Sequence, residues 1–123
     1  MTPFGLKLRQ LRSQRGISQK QMASDLNVSA AYLSALEHGK KGVPSWQMLQ
    51  RIIHYFNIIW DEAEELVGIA GLSRTKTTIN TIGLTTKANI VANRIAAEIH
   101  QLNDDALGKI LTILDDQSSK NEP

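Results

Sequence analysis

The chain has 123 residues, 41% of them hydrophobic and 21% charged, which is ordinary for one globular domain or a small domain with an appendage. It contains no cysteine, which excludes disulfides and zinc–cysteine sites, and no apolar run approaches the roughly 20 residues of a membrane span. The formal net charge is only +2. The first residues lack the pattern of a signal peptide, and the lack of cysteine fits a reducing cytosol, so we expect a cytoplasmic protein.

Two short helices are predicted at the start of the chain. The first runs over residues 3–15 and ends at Gly16, which readily adopts the left-handed conformation of a helix stop. The second follows Ser18, which together with Gln21 has the spacing of a capping box. It ends at Asn27, a residue that tolerates the left-handed conformation of a tight turn.

Three further helices are predicted before residue 72. The third begins after Ser29 and ends at Gly39, and a basic loop, KKGVPS, follows it. The fourth starts near residues 44–45. Its apolar face holds Trp46, Leu49, Ile53 and Phe56, which are spaced three or four residues apart. The fifth begins near Asp61, where acidic residues suit the positive end of a helix dipole, and fades over residues 68–71.

The remainder of the chain has a different pattern. The stretch TKTTINTIGL, residues 75–84, is rich in Thr and Ile and predicts one strand. Two amphipathic helices follow over residues 86–102 and 104–115, capped by Thr85 and Asn103. The predicted fold class is therefore all-α: a five-helix bundle followed by one short strand and two helices. The expected boundaries are 1–72, 73–117 and a disordered C-terminus at 118–123.

Residues 17–40 meet the geometric requirements of a helix-turn-helix. Ala23 is small where two helices must approach closely, and Asn27 permits the sharp turn between them. Val28 and Leu36 can close the core beneath that turn. A unit of this kind projects its second helix, N-terminus first, into the major groove of DNA. The same residues also allow a plain helical hairpin inside an α-bundle.

Charge is distributed unevenly along the chain. Up to residue 60 there are eight basic and two acidic residues, a net charge of +6, and from residue 61 there are six basic and ten acidic residues, a net charge of −4. A basic half beside an acidic half suggests that the first half contacts a polyanion. A solvated charged surface would have the same composition.

The stretches LRQLRSQRGISQKQMASDLNVSAAYLSALEHGK and VPSWQMLQRIIHYF resemble the Cro/C1-type (XRE-type) helix-turn-helix domain of bacterial and phage repressors. The resemblance covers about residues 4–60. It implies a compact bundle of five helices that binds double-stranded DNA, usually as a dimer.

The resemblance also implies roles for individual residues. Arg12 and Glu37 match an arginine–glutamate pair that ties the first helix to the end of the third. The alternative is two surface charges that contribute little to stability. Gln19 matches a glutamine that sits against the DNA backbone. The residues expected at the DNA are Gln19, Lys20, Ser29, Ala30, Ala31, Tyr32, Ser34, Ala35, His38, Lys40 and Lys41. For Tyr32, simple packing on the helix surface is the alternative.

One departure from the family pattern concerns Ala30 and Ala31, where several relatives have glutamines that read base edges. An alanine can touch a thymine methyl group but cannot form a bidentate hydrogen bond. The small side chains at this helix end would allow the helix backbone to approach the DNA groove closely. Readout would then depend on Ser29, Tyr32, Ser34 and nearby basic residues, or on DNA shape.

The tail is predicted to make a homodimer. The strand would pair with its copy in a second subunit, and the two helices would pack across the same two-fold axis, because the tail alone has too little apolar material for a core. The residues expected at this interface are Ile79, Ile82, Leu84, Ile95, Ile99, Leu107, Ile110, Leu111 and Leu114. The alternative is a tail that folds back on its own five-helix bundle.

These patterns together predict a sequence-specific DNA-binding regulator of transcription, acting as a repressor and as a homodimer on an inverted repeat. The alternative is an antitoxin whose tail binds a second protein and which represses its own operon. An enzyme is not expected, because no nucleophile–base pair is visible and His38, His54 and His100 lie far apart in the sequence. The sequence indicates neither a metal nor a cofactor.

Overall fold

The computed structural model describes residues 1–121, and these residues form two units, Met1–Thr77 (the N-terminal unit) and the part from Thr78 onward (the C-terminal unit). The described residues contain seven α-helices and one 3₁₀ turn. Their bounds are α1 Pro3–Gln14, α2 Gln19–Asp25, α3 Ala30–Glu37, α4 Trp46–Tyr55, α5 Asp61–Gly71, α6 Thr86–Glu98, the 3₁₀ turn Ile99–Gln101 and α7 Asp104–Lys120. Among these residues no helix is both long enough and apolar enough to cross a bilayer.

The N-terminal unit is built around one apolar core. Helix α1 packs against α3 and α5, and α2 packs against α3. Gly5 lets α1 and α3 approach closely, because a Cβ atom at this position would lie 2.5 Å from the carbonyl oxygen of Leu36. The core contains Phe4, Leu8, Met22, Ala23, Leu26, Leu33, Leu36, Leu49, Ile52, Ile53, Phe56, Ile58, Leu66 and Ala70.

The first four helices all end in the same way. Gly16, Asn27, Gly39 and Asn57 each have a positive φ, between 54° and 75°, just past the end of a helix. After α2, the amide of Asn27 donates to Ser24 and the amide of Val28 donates to Ala23, which is the pair of hydrogen bonds of a Schellman motif. The predicted stops at Gly16, Asn27 and Gly39 are therefore confirmed, and the stop at Asn57 was missed.

The capping box predicted for α2 is only half formed. Ser18 Oγ accepts a hydrogen bond from the amide of Gln21 at 3.0 Å, as expected of an N-cap. The side chain of Gln21 instead donates to Asp25 at 2.7 Å. The second bond of a capping box would require the Gln21 side-chain oxygen to accept from the backbone amide of Ser18. Gln21 uses its amide nitrogen for the carboxylate one turn further along α2 instead.

The apolar face predicted for α4 is not covered at Trp46, whose exposed fraction is 63%. Trp46 is the first residue of the helix, one turn before the part that packs on the core. The buried face consists of Leu49, Ile52, Ile53 and Phe56. A repeat of three or four residues defines the direction of a helix face but not how far along the helix that face remains covered.

The predicted strand at residues 75–84 was wrong. No strand forms among the described residues, and the end of this segment is a turn in which the amide of Ile82 donates to Asn80 Oδ1 and the amide of Leu84 donates to Thr81. Gly83 has a φ of 82°. The Thr and Ile residues have strand propensity, but the described part of the chain supplies no second strand for a ladder.

The C-terminal unit consists of α6, the 3₁₀ turn and α7. Thr85 and Asn103 cap the two helices as predicted, through hydrogen bonds to the amides of Ala88 and Ala106. Helix α7 continues through Lys120, beyond the predicted end at residue 115, because no glycine or proline interrupts residues 116–120. Residues 122–123 lie outside the described residues.

Candidate DNA interface

The turn between α2 and α3 holds the helix-turn-helix together. Ala23 is buried and Asn27 is in the left-handed region with a φ of 57°. The amide of Val28 donates to the carbonyl of Ala23 at 2.9 Å, which fixes the direction in which the chain leaves the turn. Ser29 then caps α3, since its Oγ accepts from the amide of Tyr32 at 3.0 Å. The geometry expected of a helix-turn-helix is therefore present.

Helix α3 has a buried face and a bare exposed end. Leu33 and Leu36 are buried in the core. At the N-terminal end Ser29, Ala30 and Ala31 are exposed. The first amide groups of a helix have no acceptor within the helix, so these small residues leave the backbone accessible to an anion or a base edge. Farther along the helix, Ser34 and Ala35 are half-buried.

The structure joins Arg12 to Glu37. Arg12 Nε donates to Glu37 Oε2 at 2.9 Å and Arg12 Nη2 donates to Oε1 at 3.0 Å, which is a bidentate pair. Arg12 Nη1 also donates to the carbonyl of Ile17 at 2.9 Å. The hydrogen bonds from Arg12 to the Glu37 carboxylate raise the pKa of the guanidinium. The pair anchors the C-terminal end of α3 to α1 and to the start of the helix-turn-helix.

Two exposed lysines occupy the loop after α3. The amides of Lys40 and Lys41 both donate to the carbonyl of Ala35, at 2.9 Å and 3.1 Å, so the start of this loop is fixed to the helix. Lys41 Nζ lies 5.5 Å from the centre of the Tyr32 ring, a cation–π distance. Burial raises the pKa of Tyr32 above its ordinary value. A tyrosine hydroxyl is protonated at neutral pH in any case and can donate a hydrogen bond.

The remaining predicted interface residues are spread along the two helices. His38 is exposed, and its Nδ1 lies 2.8 Å from the carbonyl of Ser34, which requires the proton on Nδ1 because a carbonyl only accepts. At the start of α2, Gln19 is half-buried and Lys20 is exposed. Lys20 is therefore free to contact a phosphate, whereas Gln19 presents only part of its side chain.

Sequence reasoning missed the residues that attach α2 and its turn to α4. Asp25 accepts hydrogen bonds from Gln21 at 2.7 Å and from the hydroxyl of Tyr55 at 2.6 Å. Burial and the hydrogen bond to Asp25 raise the pKa of Tyr55 to about 12. Arg51 donates to the carbonyl of Leu26 in the turn. These partners are 25 and 30 residues apart, a separation at which helical periodicity gives no signal.

Three arginines of the first half bind groups of their own unit. Arg12 is paired with Glu37, Arg51 is bound to a carbonyl, and Arg15 donates to the carbonyl of Phe56 while lying 5.7 Å from the centre of its ring. These three arginines stabilise the unit. The exposed cations in the helix-turn-helix and its following loop are Lys20, Lys40 and Lys41.

A family model described as a helix-turn-helix domain matches residues 3–66, more than half of the chain. The chain therefore belongs to the helix-turn-helix family, and the resemblance drawn from its sequence is confirmed at that level. The matched residues include the whole of α1 to α4 and the first half of α5.

Three relatives are transcriptional regulators by name. The HTH-type transcriptional activator BcrR of Enterococcus faecalis is 39% identical over 70 residues, which cover 54% of this chain and 34% of that protein. The HTH-type transcriptional repressor RghR of Bacillus subtilis is 36% identical over 61 residues, 50% of this chain and 45% of that protein. The uncharacterized HTH-type transcriptional regulator RghRB of Bacillus subtilis is 32% identical over 71 residues, 58% of this chain and 49% of that protein.

The chain spans only about a third to a half of the length of these relatives. The match to the family model, residues 3–66, contains the whole helix-turn-helix. No solved structure matches the chain.

Proposed function

We propose that the protein is a transcription regulator that binds double-stranded DNA by inserting the N-terminal end of α3 into the major groove. The observation that carries the proposal is the exposed N-terminal end of α3, a helix whose other face is buried in the core. Lys20 on α2 and Lys40 and Lys41 in the loop after α3 are exposed as well. The lysines supply phosphate contacts and the helix end supplies the approach to the bases.

The small residues at this end determine how the DNA would be read. Ala30 and Ala31 can contact thymine methyl groups, and their exposed backbone can lie close to the groove floor. Ser29 uses its Oγ as a helix cap, which leaves Ser34 and Tyr32 as the nearby hydroxyl groups for direct hydrogen bonds. Part of the specificity would then come from DNA shape.

The proposal is tested by selecting binding sites from a random double-stranded pool and measuring affinity for the selected site. Ala31→Glu adds an acidic group at the positive end of α3, which favours the helix but repels phosphate, so we expect the affinity to fall by at least about tenfold. The matched control is Ala97→Glu on the exposed surface of α6. Wild-type affinity in the Ala31→Glu variant would overturn the assignment of α3.

The regulator would act as a homodimer and repress transcription by occupying an operator with two inverted half-sites. One helix-turn-helix covers too little DNA to select one genomic site, whereas two copies about one helical turn apart extend the site. The named relatives include both an activator and a repressor, and we assign repression because occupancy needs no additional surface for polymerase. A protein with this role works in the cytoplasm, beside the chromosome.

The support for a dimer is the apolar surface of the C-terminal unit. Helices α6 and α7 enclose an open apolar groove lined by Ile95, Ile99, Leu102, Leu107, Ile110 and Leu111. Other exposed apolar residues of this unit are Ile79, Ile82, Leu84 and Leu114. No residue of either helix is buried, and an open apolar surface of this kind is stabilised by covering it.

Light scattering on the full chain tests the dimer. Ile110→Glu places a charge in the groove and should convert the dimer into a monomer, whereas Gln117→Glu on the exposed surface of α7 should leave the mass unchanged. A wild-type mass of one chain at micromolar concentration would refute self-association. It would then favour the second candidate, an antitoxin, in which the same apolar surface binds a toxin protein. Copurification with the product of a neighbouring gene tests that alternative.

A further inference from the structure

The loop after α3 touches the segment that follows α5. A Cβ atom on Gly42 would lie 2.8 Å from the carbonyl oxygen of Ser73 and 2.9 Å from the amide nitrogen of Thr75. Both atoms belong to the backbone, so no side chain fits between the two segments. Gly42 therefore allows a backbone-to-backbone contact between segments some thirty residues apart in the sequence.

Ser73 fixes the start of the second segment to the core. Its side chain is buried, and its Oγ accepts from the amide of Phe4 at 2.9 Å and donates to the carbonyl of Ile69 at 2.8 Å. Its own amide donates to Ala70 at 3.0 Å. A buried hydroxyl with these partners holds the backbone in one position. The chain just after Ser73 is thus attached to α1 and α5.

Two exposed cations follow this fixed point. Arg74 and Lys76 lie one and three residues beyond Ser73, and both side chains are exposed. Because Thr75 contacts Gly42, they are placed beside the loop that carries Lys40 and Lys41. Neither residues 38–45 nor residues 72–78 contain an acidic residue. The two touching segments therefore carry four cations and no acidic residue of their own, a charge pattern that attracts a polyanion.

We propose that Arg74 and Lys76 bind DNA phosphates and extend the interface beyond the helix-turn-helix, with Gly42 positioning the segment that carries them. This inference rests on the proposed function, because it assumes that Lys40 and Lys41 meet the DNA backbone. Neighbouring phosphates of one strand are separated by a rise of about 3.4 Å, so cations on two touching segments can neutralise phosphates in succession. The segment from Ser73 to Thr77 is then part of the binding surface as well as a connection to the C-terminal unit.

The test measures affinity against salt concentration by fluorescence anisotropy, using the full chain and a labelled random-sequence duplex. In Arg74→Gln/Lys76→Gln, the loss of two phosphate contacts should reduce the slope of log affinity against log salt by about 1.8 per bound subunit, since each contact contributes about 0.9. Arg74→Lys/Lys76→Arg keeps both charges in the same exposed positions and should retain the wild-type slope. Both double variants change only exposed side chains, so their circular dichroism should match the wild type.

Lys40→Gln/Lys41→Gln separates the two proposals. If this variant reduces the slope and Arg74→Gln/Lys76→Gln leaves it unchanged, the further inference is wrong and the proposed function stands. If both variants reduce the slope, both proposals are supported. If the wild-type protein itself shows no salt dependence between about 50 and 200 mM, the proposed DNA binding fails, and the inference fails with it.

Discussion

Both units of this protein consist of helices, but only the helices of the N-terminal unit bury a core. Helices α1 to α5 are 7 to 12 residues long, and the N-terminal unit that they form buries fourteen apolar residues. Helix α7 has 17 residues, and neither it nor α6 buries any. Short helices need tertiary packing to be stable in water. The N-terminal unit supplies that packing from its own core, whereas the apolar residues of α6 and α7 are exposed or half-buried.

An arginine–glutamate pair in each unit shows the same contrast. Arg12 and Glu37 are joined at 2.9 Å, with side chains 18% and 1% exposed. Arg94 and Glu98 are joined at 2.8 Å, with side chains 72% and 42% exposed. Nearly equal distances do not imply equal contributions to stability. A buried carboxylate has no water to replace a lost partner, whereas water solvates both charges of an exposed pair.

The largest difference between the units is expected when each arginine is replaced. Arg12→Met leaves the Glu37 carboxylate buried without a partner and should lower the free energy of unfolding of the N-terminal unit by about 3–5 kcal/mol. Arg94→Met, the matched control, should leave stability unchanged within error. Urea unfolding combined with amide hydrogen exchange measures each unit separately. An equal loss of unfolding free energy in Arg12→Met and Arg94→Met would contradict the difference expected between the buried and the exposed ion pair.

A leucine-to-alanine pair tests the contrast in packing. Leu33 is fully buried, and Leu33→Ala should cost about 2–5 kcal/mol through lost contacts and a residual cavity. Leu114 is exposed, so Leu114→Ala should have no effect on the monomer. Hydrogen exchange at low protein concentration measures both. If Leu114→Ala becomes destabilising only as the concentration rises, Leu114 is covered by self-association.

Two asparagines should respond to alanine with opposite sign. Asn27 is in the left-handed region, where a Cβ-bearing residue without a compensating side chain is strained, so Asn27→Ala should cost about 1 kcal/mol. Asn93 is inside α6, where alanine is the better helix former, so Asn93→Ala should increase helix content. Circular dichroism with thermal unfolding measures both. Stabilisation by Asn27→Ala would show that the turn does not constrain α3.

The smallest expected effect concerns pH. Tyr55 has a pKa raised from 10.0 to about 12, so between these values the folded state keeps a proton that the unfolded chain has lost. Its contribution to stability is complete below pH 10 and disappears as the pH rises through about 12. Tyr55→Phe should flatten this part of the pH profile, measured by urea unfolding of the N-terminal unit. An unchanged profile would show that the bond to Asp25 adds no stability.

Local signals in the sequence were sufficient for most helix ends. Ser18, Ser29 and Thr85 cap helices because a hydroxyl can reach an amide three residues on, and that depends only on nearby residues. The stop at Asn27 is local in the same way. The helix-turn-helix was predictable because its defining features lie within one continuous stretch.

Contacts between distant residues were not predictable in the same way. The bond from Tyr55 to Asp25 and the approach of Ser73 to Gly42 depend on how whole helices pack. The false strand at residues 75–84 has a related cause, because strand propensity reports a residue's preference and not the presence of a pairing partner. The exposure of Trp46 was not predictable, since helical periodicity does not indicate where a core ends.

The position of the aromatic residues makes the intrinsic fluorescence of the protein specific to its N-terminal unit. All six lie before residue 61, and both tryptophans, Trp46 and Trp60, are exposed on the N-terminal unit. Indole emission therefore originates only in the unit proposed to bind DNA, and Trp46 is the residue directly after the basic loop and its cap. The α6–α7 hairpin is silent at these wavelengths. Emission spectra and light scattering thus follow two different events in one unlabelled sample.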